Sequence, residues 1–274
     1  MWERRYAFPN PARDRHGERV YPQGQVEKLR LIKRLMDRGH RPGKIIGQSI
    51  EDLRALGSEA SPDASAPEDL DLFMKLIRSH ELLELRSQLS QTMARSGLQS
   101  FILETVAPLT VAVGDAWMSG DIAVFEEHLY SELIQNLLRN AIASIQPQGR
   151  TPRVLLTSFP QEQHSIGLLM AEAMLAVEGA SCISLGTQTP LADIVTAARA
   201  HHADIVALSF SSSYPENKAL EGLKQLRQAL PATTRLWAGG AGAKRLRKPP
   251  EGVQQVANFE QMVELIKQWR APDA

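Results

Sequence analysis

The sequence predicts a multidomain chain, all-α in its first half and α/β in its second, and three observations carry that expectation. Residues 57–69, GSEASPDASAPED, are rich in Ser, Ala, Pro and acids without apolar periodicity, which reads as a flexible linker behind a short helical piece. From about residue 68 to 148 apolar residues recur at helical spacing, with no strand-like alternation. From Arg153 onward short β-branched runs alternate with helical patterns, the grammar of a parallel sheet with crossover helices. Composition agrees: 274 residues, 43% hydrophobic and 23% charged, can bury real cores, and the single cysteine, Cys182, excludes a disulfide framework or a thiolate metal cluster. No run reaches the roughly 18 apolar residues of a membrane span, and MWERRYAFPN has no apolar signal region, so the chain is read as cytoplasmic with no membrane partner. The formal net charge of zero hides an asymmetry, because residues 1–57 hold 13 Lys and Arg against 7 Asp and Glu, and the rest hold 18 against 24. A basic arm suited to polyanions and an acidic body are expected.

In chain order, QVEKLRLIKRLMDRG places Val26, Leu29, Ile32 and Leu35 on one helical stripe, and SIEDLRAL starts a second helix at an N-cap Ser49 with Glu51 and Asp52 in its first turn. These belong to an amino-terminal segment, 1–56, followed by the linker, 57–67. Four amphipathic segments then predict a four-helix bundle over 68–148: DLDLFMKLIRSH, ELLELRSQLSQTMARSG, LQSFILETVAPLTVAVGDAWMSG and DIAVFEEHLYSELIQNLLRNAIASI. Within 151–270 the expected strands are RVLLTS, SCISLG, DIVALSFS, RLWAGG and VQQVA. Helices lie between them through Ala176, near 190–201 and over 217–229, with one more at the end. That is a Rossmann-like parallel α/β domain.

In an open parallel sheet the ligand lies beyond the carboxyl ends of the strands, so the loop after RVLLTS, FPQEQHSIG, is the place to look. Its single glycine argues against a dinucleotide. It offers Glu162 two residues before His164, and Gly167 three after it. A metal-bound imidazole commonly donates its second nitrogen to a carboxylate, which Glu162 can be, although alone such a histidine is more often a solvated loop residue. The third strand ends in Ser209, Phe210 and Ser211, and the fourth in Gly239 and Gly240, whose missing side chains are expected to leave a channel beside the following helix. With these residues in place the sequence resembles the cobalamin-binding domain of corrinoid methyltransferases, mutases and a group of transcriptional regulators. Its motif is D/ExHxxG, a serine on the third strand and paired glycines on the fourth. The resemblance implies that His164 is the lower axial ligand of cobalt. It also implies that the dimethylbenzimidazole tail threads beside Ser209 toward Gly239 and Gly240. Ser211 is a further binding candidate, although a strand-end serine is usually a turn residue.

The bundle carries Trp117 and, ten residues later, Glu127 and His128, in GDAWMSGDIAVFEEHLYSE. Gly120 is expected to end one helix and Asp121 to cap the next, and all three residues to converge at one end of the bundle. A Trp with an adjacent Glu-His at this spacing is similar to the light-responsive cobalamin regulators of the CarH and LitR group. The resemblance implies that Trp117 covers the adenosyl group and that Glu127 and His128 complete the upper pocket. Light-sensing relatives often carry histidine after the tryptophan. Here the residue is Met118, and a thioether is a weaker ligand than imidazole for oxidised cobalt.

The opening, WERRYAFPNPARDRHGERVYP, resembles the MerR-type DNA-binding domain: the end of its recognition helix and its wing, Arg13 to Tyr21. The resemblance implies that Arg4, Arg5, Arg13, Arg15, Arg19 and Tyr21 face the duplex, the arginines through charge-assisted phosphate contacts. The chain opens inside that helix, so either its start codon lies at an internal methionine of a longer frame or part of the reader is lost. Weak promoter binding is expected of a chain that begins at Met1.

These resemblances imply a cobalamin-dependent transcriptional regulator, a repressor and not an enzyme. Adenosylcobalamin is favoured over methylcobalamin, the homo-oligomer depends on the cofactor, and light is a candidate signal. The alternatives are a corrinoid carrier in methyl transfer, against which the basic arm and Trp117 argue, and a cobalamin-binding antirepressor acting through protein contacts.

Overall fold

The computed structural model describes residues 2–37, 40–58, 68–145 and 151–271. Its contacts divide the chain into two compact units, residues 1–80 with 109–128, and residues 81–108 with 129–274.

The first unit opens with α1 (Trp2–Tyr6) and a small antiparallel hairpin of β1 (Ala12–Arg13) and β2 (Arg19–Val20), in which Ala12 faces Val20 and Arg13 faces Arg19. The hairpin turns because the Asp14 carboxylate accepts from the backbone N–H of His16 at 2.9 Å and of Glu18 at 2.8 Å. Then follow α2 (Gln23–Asp37), α3 (Pro42–Ile45), α4 (Ile50–Ser58) and α5 (Glu68–Arg78). The core of the segment is Leu31, Ile32, Leu35, Ile45, Ile46 and Leu53, with Tyr6 and Phe8 against it. Leu31 thus joins the expected stripe, while Val26 and Leu29 are half-buried at its edge. Ser49 caps α4 as expected: its hydroxyl accepts from the Asp52 N–H at 3.0 Å, and the Asp52 carboxylate accepts from the Ser49 hydroxyl at 2.8 Å. α4 runs through Gly57 and Ser58, two residues into the expected linker, since Leu53 and Leu56 pack on the core and carry the helix past them. The rest of the linker, 59–67, and residues 146–148 of the expected bundle lie outside the described residues.

The next helices are α6 (Leu82–Ser96), α7 (Leu98–Ser100), a π-helical segment Phe101–Val106, α8 (Ala107–Ser119) and α9 (Val124–Ser144). The third helix expected from sequence is therefore continuous but widened in its middle. Pro108 lacks an N–H and its ring crowds the carbonyl four residues back, and the π turn before it relieves that crowding, with the Ala107 N–H reaching Ile102 O. By length and composition this stretch, Leu98–Ser119, could cross a membrane, yet Phe101, Ile102, Val106, Leu109 and Val113 are buried within the protein. Gly120 ends α8 as expected, at φ +87°. Asp121 does not cap α9, which starts three residues later; its carboxylate accepts instead from the Ser119 hydroxyl at 2.7 Å, and Glu126 Oε2 accepts from the Ala123 N–H.

The second unit holds a five-stranded parallel sheet of β3 (Arg153–Thr157), β4 (Ser181–Gly186), β5 (Ile205–Ser209), β6 (Arg235–Gly239) and β7 (Val253–Gln255), in the order β4-β3-β5-β6-β7. The helices between strands are α10 (Ile166–Val177), α11 (Leu191–Ala200) and α12 (Glu216–Ala229), and α13 (Phe259–Arg270) closes the domain. Every expected strand and helix of this region is present, with ends shifted by at most two residues. β3, β5 and β6 read as continuous apolar runs because both faces are covered. The strand order reverses at β3, where the chain leaves toward β4 on one side and later returns through β5 on the other. The loops after β3 and β5 therefore diverge from a crevice at the sheet's carboxyl edge.

Candidate cofactor site

That crevice is where the Glu162 and His164 loop lies. Its shape is set by hydroxyls at the end of β3. Thr157 Oγ1 bonds Gly186 O at 2.9 Å and Thr189 Oγ1 at 2.7 Å, and the Ser158 hydroxyl donates to Glu162 O at 2.9 Å while accepting from the Gln188 N–H at 3.0 Å. Gln161 then turns the chain at φ +72°, and Glu162 is driven inward.

The Glu162 side chain is only 1% exposed, whereas that of His164 is 65% exposed. Glu162 Oε1 accepts from His164 Nδ1 at 2.6 Å and from the His164 backbone N–H at 3.1 Å. Its other oxygen accepts from the Ser211 N–H and the Ser211 hydroxyl, each at 2.8 Å. Burial pushes the Glu162 carboxyl up, but the bonds from His164 and Ser211 outweigh it and hold the group below the usual carboxylate range. An ionised Glu162 fixes the proton on Nδ1, so the lone pair of the neutral ring is on Nε2, the nitrogen a metal would take. Burial, and after it the Glu162 charge, raises the pKa of the neighbouring Tyr214 phenol, which stays protonated and donates to Pro160 O at 3.3 Å.

The other residues expected here fall around the same edge. Ser209 pairs in register with Gly239, and a Cβ on Gly167 would stand 3.4 Å from the Ser209 hydroxyl, so α10 starts close to the end of β5. Gly240 corrects the expected channel: at φ +88° a Cβ there would lie 2.4 Å from Phe210 O, so this glycine admits the backbone of the neighbouring loop and leaves no open space. Gly242, which sequence reasoning missed, does the same against Ser211 O at 2.3 Å. The run GGAG carried that signal. Ser211, expected as a ligand contact, has its hydroxyl on the Glu162 carboxylate at 2.8 Å and on Ser213 Oγ at 3.0 Å.

On the first unit, Trp117 and Met118 sit half-buried in the last turn of α8. Glu127 and His128 are paired, with Nδ1 2.7 Å from Oε2. His128 lines a groove of about 520 Å³ with Glu27 and Arg30 of α2, Arg54 of α4 and Phe125 of α9, and Trp117 does not line it. The sequence also gave no hint of His80, whose Nε2 lies 3.0 Å from Glu126 Oε1. In the basic segment, Arg19 is ion-paired with Glu3 at 3.1 Å, Arg13 donates to Gly17 O, Arg15 bonds His16 and Arg5 lies over the Tyr6 ring. Tyr21 is half-buried, and the side chain of Arg4 lies outside what the structure describes.

Among the described residues no three His, Cys, Asp or Glu side chains converge to hold a metal ion. One anchored, exposed imidazole at a sheet edge does not suit a bare ion. It suits a metal whose other ligands arrive with it, as a corrin ring provides.

Comparison with known proteins agrees with this geometry. A B12 binding domain model matches residues 152–270, a second B12 binding domain model matches 73–141, and a MerR HTH family regulatory protein model matches 1–47. The chain is 32% identical over 250 residues to the HTH-type transcriptional repressor CarH of Myxococcus xanthus, a match covering 89% of this chain and 83% of that protein. It is 29% identical over 273 residues to the HTH-type transcriptional repressor CarA of the same organism, covering 98% and 91%. The monomethylamine corrinoid protein of Methanosarcina barkeri shares the fold, at a TM-score of 0.57 and 15% identity over 70% of this chain and 94% of that one. With a MerR-type reader and two B12-binding modules in one polypeptide, the chain belongs to the B12-binding MerR-family transcriptional regulators that include CarH and CarA.

Proposed function

We propose that this regulator is a repressor whose hold on promoter DNA depends on adenosylcobalamin and is released by light. The observation that supports it best is the bond between buried Glu162 and exposed His164 at the strand-order reversal. In this reading residues 1–56 contact DNA, 68–148 form the cap and 151–270 hold the cofactor. His164 would supply an imidazole ligand to the cobalt, Glu162 would orient it, and Gly167, Ser209 and Gly239 would shape the path of the nucleotide tail. Trp117, Glu127 and His128 are assigned to the adenosyl side by family likeness, and Met118 to packing. Bound adenosylcobalamin would supply a cobalt–carbon bond that light breaks. The protein's part is to hold an oligomer while the adenosyl group is in place and to lose it afterwards. As a regulator of DNA it acts in the cytoplasm and performs no catalysis.

The test is to reconstitute the full chain with adenosylcobalamin in darkness and record its absorption spectrum and size-exclusion elution before and after illumination, with methylcobalamin in parallel. A histidine-bound spectrum and a larger dark species that dissociates in light are expected. An oligomeric state indifferent to cofactor and light would remove the photoreceptor reading, and failure to bind any cobalamin would remove the cofactor.

Glu162→Gln is expected to weaken cobalamin binding roughly ten- to a hundredfold, the usual cost of losing an orienting partner. Each carboxylate oxygen accepts a backbone N–H, so an amide nitrogen on either side meets a donor it cannot answer. Ser211→Ala keeps its backbone bond and should cost less. Titration followed by absorbance ranks the two, and an unchanged affinity for Glu162→Gln removes the orienting role.

A further inference from the structure

We propose that the α/β domain carries a second, sequence-independent contact surface for duplex DNA, built on the basic run Lys244 to Lys248. The body of the chain was expected to be acidic, but it is polarised. Residues 151–215 hold 2 Lys and Arg against 5 Asp and Glu, whereas 216–251 hold 8 against 3.

The run is presented rigidly. A short 3-10 turn, Ala243–Arg245, buries Ala243, and Leu246 is buried next to it, so the side chains of Lys244, Arg247 and Lys248 are left in solvent. Gln255 Nε2 donates to both Ala243 O and Leu246 O at 2.9 Å, Gly242 N–H donates to Phe210 O at 2.9 Å, and the Arg245 guanidinium is tied to Ser212 O. Lys248 and Lys224 of α12 both line a groove of roughly 610 Å³, which Glu221 and Glu251 share without pairing to either lysine. Among the described residues, Lys224, Lys244, Arg247 and Lys248 have no ion-pair partner.

A flexible cationic tail relieves self-repulsion by spreading out, but a clamped turn cannot, so this one is stabilised by counter-charge from outside. The cations follow one another along the chain on either side of buried Leu246. That arrangement suits a row of phosphates better than a single small anion. The polyanion is the duplex expected of the amino-terminal segment, so the inference rests on the reading of the chain as DNA-binding.

The experiment compares the full chain with the variant Lys244→Gln/Arg247→Gln/Lys248→Gln, measuring affinity for a mixed-sequence duplex across salt concentrations. Arg86→Gln/Arg95→Gln/Lys267→Gln, three exposed cations elsewhere on the same unit, serves as the charge-matched control. With a slope of about 0.9 per phosphate contact, the first variant, which removes all three cations, is expected to flatten the salt dependence by roughly 2.7 and to lose tenfold or more in affinity near 0.1 M salt. The control is expected to change neither. Equal effects from both variants, an unchanged slope, or loss restricted to single-stranded RNA or anionic vesicles would overturn the surface. Failure of the unmodified chain to bind any duplex would overturn the DNA reading with it. Cobalamin binding by the variant, measured in parallel, should be unchanged, and its loss would mean that the run serves the fold.

Discussion

His164→Ala is expected to lower the affinity of the full chain for cobalamin by more than the roughly hundredfold upper limit for losing an orienting partner, and to abolish the spectral signature of bound imidazole. The ring is exposed, so its removal leaves no cavity, and the Glu162 carboxylate keeps the N–H of residue 164 and both bonds from Ser211. The fold should therefore survive, as judged by an unchanged thermal transition without cofactor. Added free imidazole should restore part of the spectrum, because the site around the missing ring is intact. An unchanged spectrum would remove His164 as the ligand, and a collapsed thermal transition would mean that it serves the fold.

Gly240→Ala is the second large effect. The residue combines φ +88° with a Cβ position 2.4 Å from Phe210 O, and that oxygen is backbone that cannot swing away. A left-handed non-glycine residue alone costs on the order of 1–3 kcal/mol, and the steric overlap adds to it. Destabilisation of about 3 kcal/mol or more is expected, a fall in Tm of roughly 6–12 °C for a unit of this size. Gly239→Ala is the internal comparison, because its nearest neighbour would be Val256 O at 3.8 Å, ordinary contact. Its effect should be near zero. Equal behaviour of the two variants in thermal melts would show that close approach is not what Gly240 provides.

The α/β half was legible because its signals are local and redundant. Short β-branched runs such as RVLLTS and DIVALSFS, alternating with helical patterns, read as buried strands, and the ligand edge of a parallel sheet follows from the direction of its strands. The Glu162 and His164 pair could be read because two residues of spacing in one loop keep the groups within reach. What the sequence hid depended on tertiary approach. Nothing near Ser211 announces that it would bond a carboxylate 49 positions away, nor near Gly240 that a neighbouring loop fills its side-chain space. Composition likewise cannot reveal that Arg19 and Arg13 of the wing have partners within their own segment, Glu3 and Gly17 O. The late start of α9 was missed because Asp121 is a good cap in isolation and the Ser119 hydroxyl engages it first.

The widened turn at Phe101–Val106 alters the arithmetic of everything after it. One π turn takes up about one residue more than an α turn, so the helix advances one position along its sequence without advancing its angle. Angles counted from Leu98 at 3.6 residues per turn come out wrong by about a residue by the time they reach Trp117, and face assignments for Asp115, Trp117 and Met118 need a second origin at Ala107. In a multiple alignment the same feature would register as a one-residue insertion with no loop to hold it. Relatives lacking the residue equivalent to Pro108 could drop that residue and still direct the tryptophan the same way.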